Sequence, residues 1–142
     1  MQLKRREYYR IKKIIKETCF KCRLPELINK INWNFCQMYL KDNLVYGRSF
    51  NMTHTIYLNS DLWNSLSIKQ QKELVVHEIC HILDSYLNNN WHSNHKDSWC
   101  DLMIKCGYKS HPYPMCSEKI VNIQIRAVKS KKYNWCCIPN FD

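Results

Sequence analysis

Residues 68 to 87 run without a single Gly or Pro, in a chain that has only two glycines, Gly47 and Gly107. Ser67 stands just before this run and Gln70 three residues on, the spacing of a capping box. Leu74, Val75, Ile79, Ile82 and Leu83 recur at three- and four-residue steps, which predicts a helix with one face in a core. Asn88-Asn89-Asn90 ends it. Within the run lies HEICH, His77 to His81. On a helix these two histidines occupy positions i and i+4, one above the other on the same face. The fold must therefore be built around a long helix that carries two imidazoles, a carboxylate and apolar neighbours (Val75, Val76, Ile79, Cys80, Ile82).

A chain of 142 residues fits one domain. Its 45% apolar and 13% aromatic residues suffice for a core, so a wholly disordered chain is excluded. Two glycines exclude Gly-rich phosphate loops and the dinucleotide-binding fingerprint. No apolar run approaches the ~18 residues of a membrane span. The basic N-terminus MQLKRREYYRIKKIIK has neither a continuous apolar segment nor a small-residue cleavage site, so it does not read as a secretory signal. An intracellular protein, in cytoplasm or nucleus, is expected. In a reducing compartment the nine cysteines read as small buried residues or metal ligands, and their odd count argues against a disulfide framework.

The net charge of +10 is uneven. Residues 1–30 carry ten Lys/Arg against three Glu, a net of +7. Residues 31–104 carry five basic against seven acidic residues, a net of −2, and residues 105–142 seven against two, a net of +5. Basic ends around a neutral centre suit a polyanion such as DNA or RNA. They equally suit a solvated Lys-rich surface.

The periodicity of Leu3, Tyr8, Ile11, Ile14, Ile15 and Thr18 or Cys19 predicts a helix over 3–19. Pro25 opens a short second helix. Ile31, Trp33 and Phe35 alternate with Asn32 and Asn34 as a half-buried strand. A second strand is expected over 44–50, bent at Gly47, and a third over 54–58. A further helix starts near His95, capped by Ser93 or Asn94. Trp99, Leu102, Met103 and Cys106 form its apolar face and Gly107 closes it.

Two imidazoles at i and i+4 can take adjacent corners of a zinc tetrahedron. Glu78 is rotated by about 100°. It is poorly placed to ligate but able to reach a water held by the metal. HExxH thus supplies two ligands and a general base for peptide hydrolysis. HExxH is also a loose pattern, which a helix can match by chance. In an apolar setting, however, two histidines and a glutamate need partners, and zinc supplies one.

The third ligand separates the classes. A metzincin would need His where Leu87 stands. Glu118, the only glutamate after Glu78, lies in a Pro-bounded stretch with no convincing helix. Asp84 shares the His77 face and reads as a hydrogen-bonding support for a ligand or a plain polar residue. His92 and His95 remain. His95 is preferred because a helix start packed on the first helix would fix it, whereas His92 lies in the loop.

HEICH, thirteen residues, then His95-Lys96-Asp97-Ser98-Trp99 resembles the SprT-like zinc metallopeptidase family (the SprT/Spartan-type protease domain). Val45-Tyr46-Gly47-Arg48, Thr55-Ile56-Tyr57-Leu58-Asn59 and Leu62 resemble the family's upstream strands, so the likeness spans roughly residues 8–108. It implies an α+β, zincin-like fold. That fold has an N-terminal helix, a small three-stranded sheet, an HExxH helix and a second helix bringing the third ligand. The resemblance implies one Zn2+ per chain on His77, His81 and His95, with Glu78 as catalytic base. Lys96 stands where the family has glycine, which alters the local turn. The expected organisation is a peptidase domain over 1–110 and a β tail over 111–142, a degenerate zinc ribbon packed on the same domain. His111, Cys116 and the adjacent Cys136-Cys137 are alternative ligands for a second zinc there. Cys19-Phe-Lys-Cys22 has no matching second pair and reads as helix-end packing.

The expected function is that of a zinc-dependent endopeptidase, a hydrolase acting on a protein or peptide substrate as a monomer, with no membrane partner. The resemblance implies substrates that are DNA-associated or crosslinked to DNA. Two other readings stay open. One is a regulator-clipping HExxH peptidase of ImmA/IrrE-like type. The other is a non-catalytic nucleic-acid-binding module with a structural zinc. A structural site needs no general base, and Glu78 speaks against it. Arg48, Tyr86, Tyr108, His111 and Tyr113 are candidate oxyanion stabilisers by residue type alone, with packing or surface positions as the alternative for most of them.

Overall fold

The computed structural model describes residues 5–37, 46–89, 93 and 97–108, and the backbone of 39–40 and 43–44. The expectations for His92, His95, Glu118 and the tail over 111–142 lie outside the described residues. Among the described residues, three helices and a small three-stranded sheet make an α+β fold: α1 (Arg5–Lys21), β1 (Asn32–Cys36), β2 (Tyr39–Leu40), β3 (Asn43–Leu44), β4 (Gly47–Phe50), β5 (Thr55–Asn59), α2 (Ile68–Asn88) and α3 (Asp97–Lys105). Among the described residues no helix is long and apolar enough to cross a membrane.

The helix α2 begins where its capping chemistry dictates. Ser67 Oγ accepts from the Gln70 backbone N–H at 3.1 Å, and Gln70 Oε1 accepts from the Ser67 N–H at 2.9 Å. It ends at Asn89, which takes the left-handed conformation (φ 48°) that asparagine tolerates better than most residues. Helix α1 buries Ile11, Ile14, Ile15, Thr18 and Cys19 against α2. Each such isoleucine contributes about 1.5–3 kcal/mol relative to exposure. Polar bonds hold the same interface: Trp63 Nε1 donates to Glu7 Oε1 at 3.1 Å, Arg10 donates to Gln71, and Gln71 Nε2 donates to the Trp63 carbonyl at 2.8 Å.

The sheet has the order β1-β5-β4, with β1 parallel and β4 antiparallel to β5. Thr55, Ile56, Leu58 and Asn59 of β5 are buried, as the central position requires. One expectation is corrected. The segment 44–50 does not form one strand. Asn43–Leu44 pairs with β2 in a separate two-stranded ribbon, while Gly47–Phe50 pairs with β5. Tyr46 between them is 1% exposed, and its carbonyl accepts from Asn59 N–H at 2.9 Å. Pro25 opens only a single 3₁₀ turn, Pro25–Leu27.

Candidate metal centre

Helix α2 carries His77, Glu78 and His81 through the middle of the core, where they are 0%, 1% and 7% exposed. The two Nε2 atoms face each other at 3.2 Å.

The tautomer of His81 follows from its neighbours. The Ser93 hydroxyl has one proton and donates it to Asp84 Oδ2 at 2.6 Å. Ser93 Oγ lies 2.9 Å from His81 Nδ1 and so accepts from it. The Nδ1–H tautomer leaves a lone pair on His81 Nε2, the atom that faces His77. Asp84 is itself held firmly: Oδ1 accepts from Ser98 Oγ at 2.5 Å and from Asn88 Nδ2 at 2.7 Å. Three donors thus satisfy the buried Asp84 side chain. Orientation of a ligating imidazole by a hydroxyl and a carboxylate is the support that metal-binding histidines require.

Trp99 of α3 closes one side. Its ring stacks on His81 (centroids 5.4 Å apart, planes at 22°) and meets His77 edge-on at 4.8 Å. Its Nε1 donates to the His77 carbonyl at 3.3 Å. Trp99, on the buried face of α3, thus packs against both imidazoles.

The arrangement fits a metal on geometry alone. Zinc–nitrogen bonds of about 2.0–2.1 Å at a tetrahedral angle put two ligand nitrogens about 3.3 Å apart. The observed 3.2 Å matches that span. Strand β4 approaches on the glutamate side. A Cβ built on Gly47 would come within 3.5 Å of Glu78 Cγ, 3.3 Å of the Tyr57 carbonyl and 3.0 Å of Leu74 Cδ1. Glycine is needed there for close approach of strand and helix.

Among the oxyanion candidates, Arg48 is exposed and its guanidinium lies over the Phe50 ring at 5.5 Å, and Tyr86 is exposed and meets His54 edge-on at 6.5 Å. Burial, then the charge of Glu73, pushes the Tyr108 phenol up to about 12, so it stays a hydrogen-bond donor at neutral pH. Ser93 and Ser98 were not singled out as site residues by their sequence positions, except Ser93 as a helix cap. The i, i+7 spacing of His77 and Asp84 is the signal that pointed to a carboxylate on this face.

Comparison with known proteins gives a family and similar solved structures. The family model of the SprT-like family matches residues 10–124. Among solved structures, the metallopeptidase zymogen abylysin of Pyrococcus abyssi is similar in fold, with a TM-score of 0.54 at 13% identity over 89% of this chain and 99% of that one. No curated protein sequence matches the chain.

Proposed function

The chain belongs to the SprT-like family, and on that premise we propose that it is a zinc-dependent endopeptidase in which His77, His81 and His95 hold the metal and Glu78 is the general base. The observation that carries this reading is the pair of Nε2 atoms 3.2 Å apart, with the lone pair of His81 turned inward by Ser93 and Asp84. Zinc held there would polarise the scissile carbonyl and lower the pKa of water towards ~7.

The chain's own residues do the rest. Glu78, one residue after a ligand, takes the proton of the attacking water and passes it to the leaving amine. Trp99 and the core around α2 exclude bulk water, which strengthens every charge interaction in the site. Strand β4 packs beside Glu78 at one end of the sheet order β1-β5-β4. An extended substrate segment added along that end would pass the glutamate, the usual geometry of peptide capture by a sheet edge.

DNA-associated proteins are the proposed substrate class. One surface feature supports this. Tyr9, Lys12, Lys13 and Lys16 of α1 line an open depression with Ile28 and Asn29. Cationic side chains with an exposed aromatic ring suit a nucleic-acid strand.

The deciding experiment is digestion of an unfolded protein substrate by zinc-loaded chain and by Glu78→Gln. The variant should keep its zinc and lose at least ~10²-fold in turnover, the scale of general-base removal. Unchanged proteolysis by the variant rejects the mechanism. Intact function of a different kind in Glu78→Gln would support a structural zinc instead.

A further inference from the structure

Three cysteines far apart in sequence meet in the core. The Sγ atoms of Cys22, Cys80 and Cys106 all lie within 4.8 Å of one another, and those of Cys22 and Cys106 are 3.6 Å apart. The residues are 4%, 0% and 8% exposed. Cys80 belongs to α2 but sits one residue before His81, rotated by about 100° from it. The cluster is therefore a second constellation on the same helix.

Helix-end geometry explains how two of the three are placed. Leu24 N–H donates to the Cys19 carbonyl and Arg23 N–H to that of Phe20, with Arg23 left-handed at φ 59°. Tyr108 N–H donates to the Met103 carbonyl and Gly107 N–H to that of Ile104, with Gly107 at φ 88°. Both are Schellman closures, and Cys22 and Cys106 are the C-cap residues of α1 and α3. Two helix C-termini, each with partial negative charge, thus converge on one group of thiols. Such a place disfavours unaccompanied thiolates and favours a cation. Lys21 and Lys105, one residue before each cap, add positive charge around the cluster. With a divalent ion, three thiolates carry a net charge of only −1.

We propose that Cys22, Cys80 and Cys106 bind a second zinc ion, which clamps the C-terminal ends of α1 and α3 to the middle of α2. Zinc–sulfur bonds of about 2.3 Å at a tetrahedral angle put two sulfurs about 3.8 Å apart. The observed 3.6 Å between Cys22 and Cys106 is close to that span, so little movement is needed. Ordinary core packing of small thiols explains the burial. It does not explain three sulfurs from three elements gathered on two negative helix ends. The site would also hold α3, and with it Trp99, against His77 and His81. The expected zinc content rises from one ion per chain to two.

The test is zinc content together with the electronic spectrum of the Co2+-loaded chain, under reducing conditions. Thiolate ligands give a sulfur-to-cobalt charge-transfer band that imidazole ligands do not. Wild type should hold two metal ions and show the band. Cys106→Ser and Cys80→Ala should each lose the band and one ion. His77→Ala should keep the band, which separates this site from the proposed active centre. A chain with Cys116, Cys136 and Cys137 all changed to Ser should also keep it. Because core variants can unfold, the spectrum of unmutated protein is the primary readout. Absence of the band there, or its loss in the tail variant, overturns the proposal. Uptake of Cu+ but not Zn2+ by the cysteines overturns the assignment to zinc.

Discussion

His77 Nε2 and His81 Nε2 stand 3.2 Å apart on adjacent turns of one helix. Two neutral imidazoles can share that distance through one proton, as a hydrogen bond, or through one metal ion. Ser93 and Asp84 bias the choice by fixing the proton of His81 on Nδ1. The lone pair on Nε2 is thus available before any metal arrives, which reduces the reorganisation that binding requires.

Removing that bias should weaken the metal. Ser93→Ala is expected to lower zinc affinity by about 10-fold, and Asp84→Ala by up to about 100-fold, the range for lost support of a ligating histidine. Asp84→Ala should also destabilise the fold, since Ser98 and Asn88 lose their acceptor. Chelator competition, read beside thermal unfolding, separates the two effects. Unchanged zinc affinity in Ser93→Ala would show that the hydroxyl does not orient the ligand.

The proposed third ligand has its own test. His95→Ala should lose zinc from the histidine centre, while His92→Ala should retain it. Equal retention in both variants would transfer the role to another residue.

Gly47→Ala probes the contact between β4 and Glu78. The added methyl meets Leu74 at 3.0 Å and the Tyr57 carbonyl at 3.3 Å, and the backbone oxygen cannot swing away. A cost of about 1–3 kcal/mol is expected. Because Glu78 Cγ is the third neighbour, turnover should fall more than zinc content does. A variant with normal stability and normal turnover would remove Gly47 from the account.

Glu73 makes stability depend on pH. Burial pushes its carboxyl up to about 7, with Lys69 pulling partly the other way. Below about pH 4.5, Glu73 is protonated in both the folded and unfolded states and costs nothing. Between about 4.5 and 7 the unfolded chain ionises first, so stability falls as pH rises. Above about 7 the penalty is complete. Glu73 is only about half buried, so solvent screening leaves roughly 1 kcal/mol. Glu73→Gln should therefore unfold at a higher temperature than wild type at pH 8, with the gain vanishing towards pH 4. A gain of equal size at both pH values would refute the linkage.

The DNA reading predicts a salt signature. Replacing Lys12, Lys13 and Lys16 with Ala should weaken binding of single-stranded DNA and flatten its dependence on salt, because fewer counterions are released. Fluorescence anisotropy at several salt concentrations measures both. Identical salt slopes for the variant and wild type would take α1 out of the interface.

Helix α2, its cap and the spacing of its histidines were legible in the sequence, because each depends on neighbours within about one turn. The same holds for the apolar face of α3, on Trp99, Leu102 and Met103, and for the strands around residues 33 and 56. What the tertiary structure alone decided depends on partners far along the chain. Gly47 marked a bend, but the division of 44–50 between two ladders depends on the separate partners β2 and β5. Asp84 was visible as a polar residue on the right face, yet its donors Ser93 and Ser98 come from beyond the end of α2. Cys22 sits in a C-x-x-C with Cys19, which reads as helix-end packing. Which thiols it meets, Cys106 and Cys80, depends on the closures at Arg23 and Gly107, which bring two helix ends onto α2. Hydrophobic periodicity specifies which face of a helix is buried. It does not specify which side chains from other elements meet there, and for this chain those meetings shape the candidate metal sites.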